Sequence, residues 1–187
     1  MTLNGSRRAA IAGAAIFLVT ALVLWSMGRS PICACGAIKL WHGVVKSAEN
    51  SQHIADWYTF SHVIHGMLFY LGGWLLFRRW SLASRFVVAL ALEGGWEVFE
   101  NTPFIIERYR EATIALDYYG DSILNSLFDM LWMALGFLAA ARLPVWMTVV
   151  LALGFEAGTA YAIRDNLALN VLMLIWPIEA VKQWQGG

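Results

Sequence analysis

Charge is scarce in this chain. Asp, Glu, Lys and Arg make up 14% of its 187 residues and cancel to a formal net charge of zero. No basic cluster stands out, which argues against nucleic acid as a partner. Cysteine occurs only twice, too few to build a disulfide scaffold. The sequence has no HExxH, no HxxxH and no ExxH pair on one helix, and no Gly-rich nucleotide loop, so the common metalloprotease and nucleotide-binding signatures are excluded. Nothing repeats. Six short helices without a broken or inverted repeat are few for a monomeric secondary transporter.

What is abundant is apolar surface. The hydrophobic fraction is 59% with ten Trp residues, against about 45–50% in a soluble domain. Several apolar runs approach the roughly 20 residues that a helix needs to cross a bilayer. These features predict an all-α, polytopic transmembrane helical bundle of about six helices, in one integral membrane domain over residues 1–187. The spans are expected at 9–27, 57–77, 82–100, from about 121 to the Arg142-Leu143-Pro144 stop, 145–163 and 167–182. The first follows Arg7 and Arg8 and reads as a retained anchor, because Gly28-Arg29-Ser30-Pro31 is a poor cleavage site. Residues 29–56 and 101–120 form two long outer connections. Arg7, Arg8, Arg78, Arg79, Arg85, Arg142 and Lys182 cluster in short turns on the other side, which predicts that both termini are cytoplasmic. The expected location is the bacterial inner membrane, with several passes.

Acidic residues recur at helical spacing inside these apolar runs. Glu93, Glu97 and Glu100 follow an i, i+4, i+7 rhythm; Asp117, Asp121, Asn125 and Asp129 recur every four residues. Such spacing lays side chains along one helix face. A carboxylate in mid-membrane costs roughly 2.5–3.5 kcal/mol even on the lenient insertion scale, so these groups need a polar cavity or a structural partner. His62 and His65, Glu93 to Glu100, and Asp117 with Asp121 all fall at one depth near the outer leaflet. Asp129, about 12 Å below Asp121 along the helix, is assigned instead to a buried helix–helix hydrogen bond. Glu100 is close enough to water to need no explanation, and Glu156 is a candidate extra wall. Gly66 permits close backbone approach of a neighbouring helix.

The expected site is therefore a periplasm-facing set of His62, His65, Glu97 and Asp121, in catalytic or metal-ligating roles. Imidazole with carboxylate suits a divalent metal such as Zn²⁺, Fe²⁺ or Mn²⁺. The same groups can also work without metal, a His acting as base or nucleophile oriented by an acid. Asn101, Asn125, Arg108 and Arg110 are candidate substrate contacts, guanidinium suiting a phosphate or carboxylate; the arginines alternatively neutralise the acids. His42 and His53 are placed in a lid, and Phe104-Ile105-Ile106 in a dip back toward the membrane. Cys33 and Cys35 have one residue between them. A bridge so closed is strained, so a structural disulfide is not expected; thiolate metal binding and lipid modification are the alternatives.

Several of these stretches are distinctive together: Trp41-His42-Gly43, Glu49 and Asn50 with His53, Asp56 through Gly66, Trp96 to Asn101, and Asp117 through Ser126. They resemble the bacterial membrane-protein family UPF0314, or DUF2585, over most of the chain. More loosely, the layout resembles VanZ-like small membrane proteins. The family resemblance implies a multi-pass inner-membrane location and no particular activity. Three functions compete. The first is a membrane enzyme, a hydrolase or transferase acting on a lipid or lipid-linked substrate. The second is an ion or small-molecule binding or transport protein. The third is a non-catalytic accessory subunit. Membrane lipids are the expected partners, with a homo-oligomer or a membrane protein partner as further options.

Overall fold

The computed structural model describes residues 3–113 and 117–187. Among them the chain is all helical, with eight helices and a single backbone bridge between His42 and Asp56. They are α1 (Leu3–Ser26), α2 (Thr59–Leu76), α3 (Leu82–Glu100), α4 (Pro103–Ala112), α5 (Ile123–Ala140), α6 (Val145–Ile163), α7 (Leu167–Ile175) and α8 (Glu179–Gly186). Three are long and apolar enough to cross a membrane, within α1 and at α5 and α6.

The expectation of six helices misses two breaks that local chemistry explains. Thr102 accepts from the Ile105 amide and Pro103 follows at the first helical position, a start signal inside a connection read as loop. Here Ile105 and Ile106 pack with Tyr109 and Tyr118 rather than facing lipid. The last expected span is split by Pro177, which lies between α7 and α8. With nine residues, α7 reaches only about 13 Å and does not cross back.

The C-terminal segment therefore stays at the end carrying the long connections. Lys46 Nζ donates to Gly186 O (3.2 Å), Lys182 Nζ to Glu111 O, and Arg164 Nη1 to Trp184 O (3.0 Å). The 24-residue α1 starts at the opposite end, since the chain just after it is bonded to the start of α5 through Ser30 O and the Ile123 amide (2.8 Å). Lys182 is thus not on the Arg78 side. The two termini lie at opposite ends of the bundle.

The centre of the bundle is the α2–α5 crossing. A Cβ on Gly66 would lie 1.9 Å from Met133 O, and one on Gly136 would lie 1.9 Å from Val63 O. The helices touch backbone to backbone, as small residues allow in membranes. Below the crossing, Ala89, Leu90, Met133 and Phe137 form the buried core, with Phe69, Tyr70 and Phe86 packed on it. By contrast α6 buries only Thr159.

The segment 50–54 is fastened to α5 as a roof. Ser122 Oγ donates to Gln52 O (3.0 Å), Asn125 Nδ2 to His53 O (2.9 Å) and Trp132 Nε1 to Ile54 O (3.0 Å). Gln52 Nε2 returns a bond to Gly120 O (2.8 Å). Cys33 and Cys35 are joined in a disulfide, against expectation. The turn closes because Gly36 takes a φ of 76° and its amide reaches Cys33 O at 3.0 Å.

Candidate functional site

Under this roof lies a cavity of about 450 Å³, lined from α2, α3, α5, α7 and the two connections. Its polar wall includes Ser61, His62, His65, Glu100, Asp121 and Asp129; its apolar wall includes Phe69, Leu92, Trp96, Phe99 and Val171. Among the described residues no Lys or Arg lines it.

The polar wall follows from helix spacing. His62 and His65 are three apart on α2 and turn to the same face, where both meet Glu93 of α3. His62 Nδ1 stands 2.7 Å from Glu93 Oε1, and His65 Nδ1 3.2 Å from Glu93 Oε2. The fully buried carboxylate accepts from both rings, which places a proton on Nδ1 of each and turns Nε2 away from Glu93. One turn on, Glu97 is also fully buried, and neither of its carboxylate oxygens has a hydrogen-bond partner. Its Oε1 is 3.6 Å from His62 Nδ1.

Asp129 is the main departure from expectation. Assigned from its height to a separate helix–helix bond, it instead lines the cavity with Oδ2 3.8 Å from His62 Nε2. The reason is the glycine crossing. Gly66 meets Met133, and one turn earlier on both helices brings His62 level with Asp129. The pair Gly66 and Gly136 was the signal that sets this register. Glu100, read as needing no explanation, also lines the cavity, and its carboxylate lies within 4.8 Å of those of Glu97 and Asp121.

Asp121 sits just before α5. Its Oδ2 accepts from Asn101 Nδ2 (2.9 Å) and its Oδ1 from Tyr118 OH (3.1 Å), while its amide donates to Asn101 Oδ1 (2.7 Å). Burial raises its pKa from 3.8 to about 6, against the lowering effect of those two donors. Tyr118 is pushed well above 10 by burial and by Asp121, and Tyr109 by burial and by Glu100. Both phenols therefore stay neutral donors. In the first connection, Lys39 and then His53 hold the Glu49 carboxyl down at about 2.

The structure thus brings His62 and His65 to Glu93, His62 to Glu97, and Glu97 to within 4.8 Å of Asp121, which bonds Asn101. The remaining sequence candidates lie elsewhere. Arg108 Nε donates to Leu174 O (2.9 Å) and Arg110 Nε to Tyr118 O (2.5 Å), and neither lines the cavity. Asn125 anchors the roof. Asp117 is exposed. Glu156 caps α7 through the amides of Leu167 (3.0 Å) and Ala168 (3.1 Å) rather than walling the cavity. His42 bonds Val44 O and Ser47 Oγ, both at 3.1 Å. From its loop the cavity is reached instead by Asn50 and Ser51.

Residues 24–187 match the family described as "Protein of unknown function (DUF2585)". The chain belongs to this family. It is 60% identical over 177 residues to a UPF0314 protein of Rhizobium etli, covering 95% of this chain and 91% of that one. A UPF0314 protein of Paracoccus denitrificans is 57% identical over 184 residues, or 97% and 95% of the two chains. One from Sinorhizobium fredii is 61% identical over 161 residues, 86% and 82%. No solved structure matches. Family membership thus agrees with the motif resemblance and leaves the chemistry to be argued from the cavity.

Proposed function

We propose that the chain is a multi-pass inner-membrane enzyme that hydrolyses or transfers a group on the polar head of a lipid or lipid-linked substrate. The observation that carries this reading is the two-sided cavity. One wall is carboxylate and imidazole; the other is Phe69, Leu92, Trp96 and Phe99. Leu92 and Phe99 are 54% and 46% exposed on the outside of the bundle, where acyl chains would lie. An amphiphile fits both walls at once.

Within it, His65 is the proton acceptor. Its side chain is 15% exposed against 8% for His62, and Glu93 holds its Nδ1. The ring therefore offers Nε2 to a water or hydroxyl nucleophile. As the oxygen attacks an ester or phosphoryl centre, its proton passes to Nε2, Glu93 stabilises the imidazolium, and the leaving oxygen takes the proton back. The long connections face the periplasm on this reading.

The test is purification in mild detergent, extraction and lipid mass spectrometry, then incubation with an extract of inner-membrane lipids. Wild type should carry a defined amphiphile and convert it. The His65→Gln variant should keep the amphiphile and lose at least about 100-fold in turnover, the usual worth of a positioned base. Wild-type protein that retains and converts no amphiphile would refute the proposal.

A further inference from the structure

We infer that His62, Glu97 and Asp129 hold one divalent first-row transition cation of the Zn²⁺, Mn²⁺ or Fe²⁺ class, with Glu93 orienting the imidazole from behind. This deepens the reading of the cavity given above, and rests on it only for the use to which the ion is put.

The first argument is distance. His62, Glu97 and Asp129 each offer one ligand atom within 4.8 Å of the others. The 3.8 Å between His62 Nε2 and Asp129 Oδ2 is too long for a hydrogen bond. It suits two ligands of one ion, since atoms each bound at about 2.0–2.2 Å lie roughly 3–4 Å apart.

The second is what the carboxylates lack. Both oxygens of Glu97 and Oδ1 of Asp129 are buried with no hydrogen-bond partner, on residues 0% and 5% exposed. Leaving buried carboxyl oxygens without a hydrogen bond is costly; among the described residues no Lys or Arg lines the cavity, and His62 is the base that comes within 4 Å of both carboxyls. Asp121 differs, because Asn101 and Tyr118 already satisfy both of its oxygens. It is therefore not a ligand, although its residue type and spacing made it a candidate.

The third is the tautomer. Glu93 accepts from His62 Nδ1 at 2.7 Å, so Nε2 is the ring nitrogen left for an ion, whose binding displaces any proton there, the arrangement that carboxylates impose on metal-bound histidines. His65 makes its own bond to Glu93 and stays outside the ligand set. One imidazole with two carboxylates favours transition ions over Ca²⁺ or Mg²⁺. Because His62 and Asp129 line the cavity, a bound ion would supply Lewis-acid polarisation to a phosphoryl or carbonyl oxygen there.

The test uses the full chain in detergent, stripped with a chelator and dialysed. Zn²⁺ and Mn²⁺ are then titrated by calorimetry, and bound metal is counted by mass spectrometry. Wild type should bind one ion per chain and show a saturable rise in unfolding temperature. The Glu93→Gln variant should bind with the same stoichiometry but about 10–100-fold more weakly. The near-isosteric Glu97→Gln and Asp129→Asn variants should weaken binding further, and His65→Gln should bind as wild type does.

Folded wild type with no saturable binding and no thermal shift overturns the inference. So does wild-type affinity in Glu97→Gln and Asp129→Asn. Should a variant fail to fold, the wild-type thermal shift decides alone. Protein that carries and converts an amphiphile yet takes no ion overturns the cation and leaves the proposed function standing. Protein that takes the ion but no amphiphile does the reverse.

Discussion

Replacing Gly66 by alanine places a methyl group where α2 and α5 meet through their main chains. The added Cβ would stand 1.9 Å from Met133 O and 2.5 Å from Phe137 N, whereas ordinary contact begins at 3.4 Å. Neither neighbour is a side chain that can swing aside, so the helices must part by about 1.5 Å or tilt. Overpacking a core costs typically about 1–3 kcal/mol, occasionally more, and a double main-chain clash belongs at the upper end. At roughly 2–4 °C per kcal/mol for a chain of this size, a loss of about 3 kcal/mol lowers the unfolding temperature by about 6–12 °C. The shift also carries His62, one turn away, off Asp129, so ion affinity should fall with stability. Gly72 is the control: a Cβ there meets nothing within 4 Å, and alanine should gain up to about 1 kcal/mol of helix propensity. The assay is thermal unfolding in detergent, followed by circular dichroism. A Gly66→Ala protein melting within about 2 °C of wild type, under about 1 kcal/mol, would refute the backbone contact.

Three further outcomes follow from other parts of the structure. Asp121 holds its proton up to about pH 6 in the fold against an ordinary 3.8, so its contribution to stability falls as pH rises between those values and is flat above. The Asp121→Asn variant should lose stability less steeply from pH 4 to 6, and identical melting profiles would contradict the raised pKa. Removing the two amide bonds that Glu156 makes at the start of α7 should cost about 1–2 kcal/mol; Glu156→Ala melting like wild type would show that the cap contributes nothing. Alkaline phosphatase fused after residue 44 and after 187 should be active, and fused after 80 inactive, because the C-terminal segment bonds Lys46 and the chain at Glu111. An inactive fusion at 187 beside an active one at 44 would place the C-terminus on the opposite side.

The helical class was legible from apolar runs, and the site was legible in kind. Buried acids at helical spacing opposite two histidines three apart had to meet something: both histidines meet Glu93, and His62 also comes within 3.6 Å of Glu97. Partner choice was not legible, because height along one helix says nothing about how neighbouring helices are shifted. That shift is set by Gly66 and Gly136, and it exchanges Asp121 for Asp129 beside His62. Arg108 and Arg110 had the right charge on the right side, yet their guanidinium groups serve backbone carbonyls. Side-chain reach is decided by tertiary packing that spacing does not encode. The break in the C-terminal segment is signalled by Pro177, which ends α7 inside an otherwise apolar run.

The roof of residues 50–54 has a kinetic consequence. Its bonds to Gly120, Ser122, Asn125 and Trp132 join positions 68 to 78 residues apart. The Ser122 amide, bound to Ser51 O at 3.1 Å, can exchange its hydrogen with deuterium only when that long loop lifts away. Its exchange rate is therefore a direct gauge of how often bulk water gains entry from above, separate from the local fraying that amides at helix ends report.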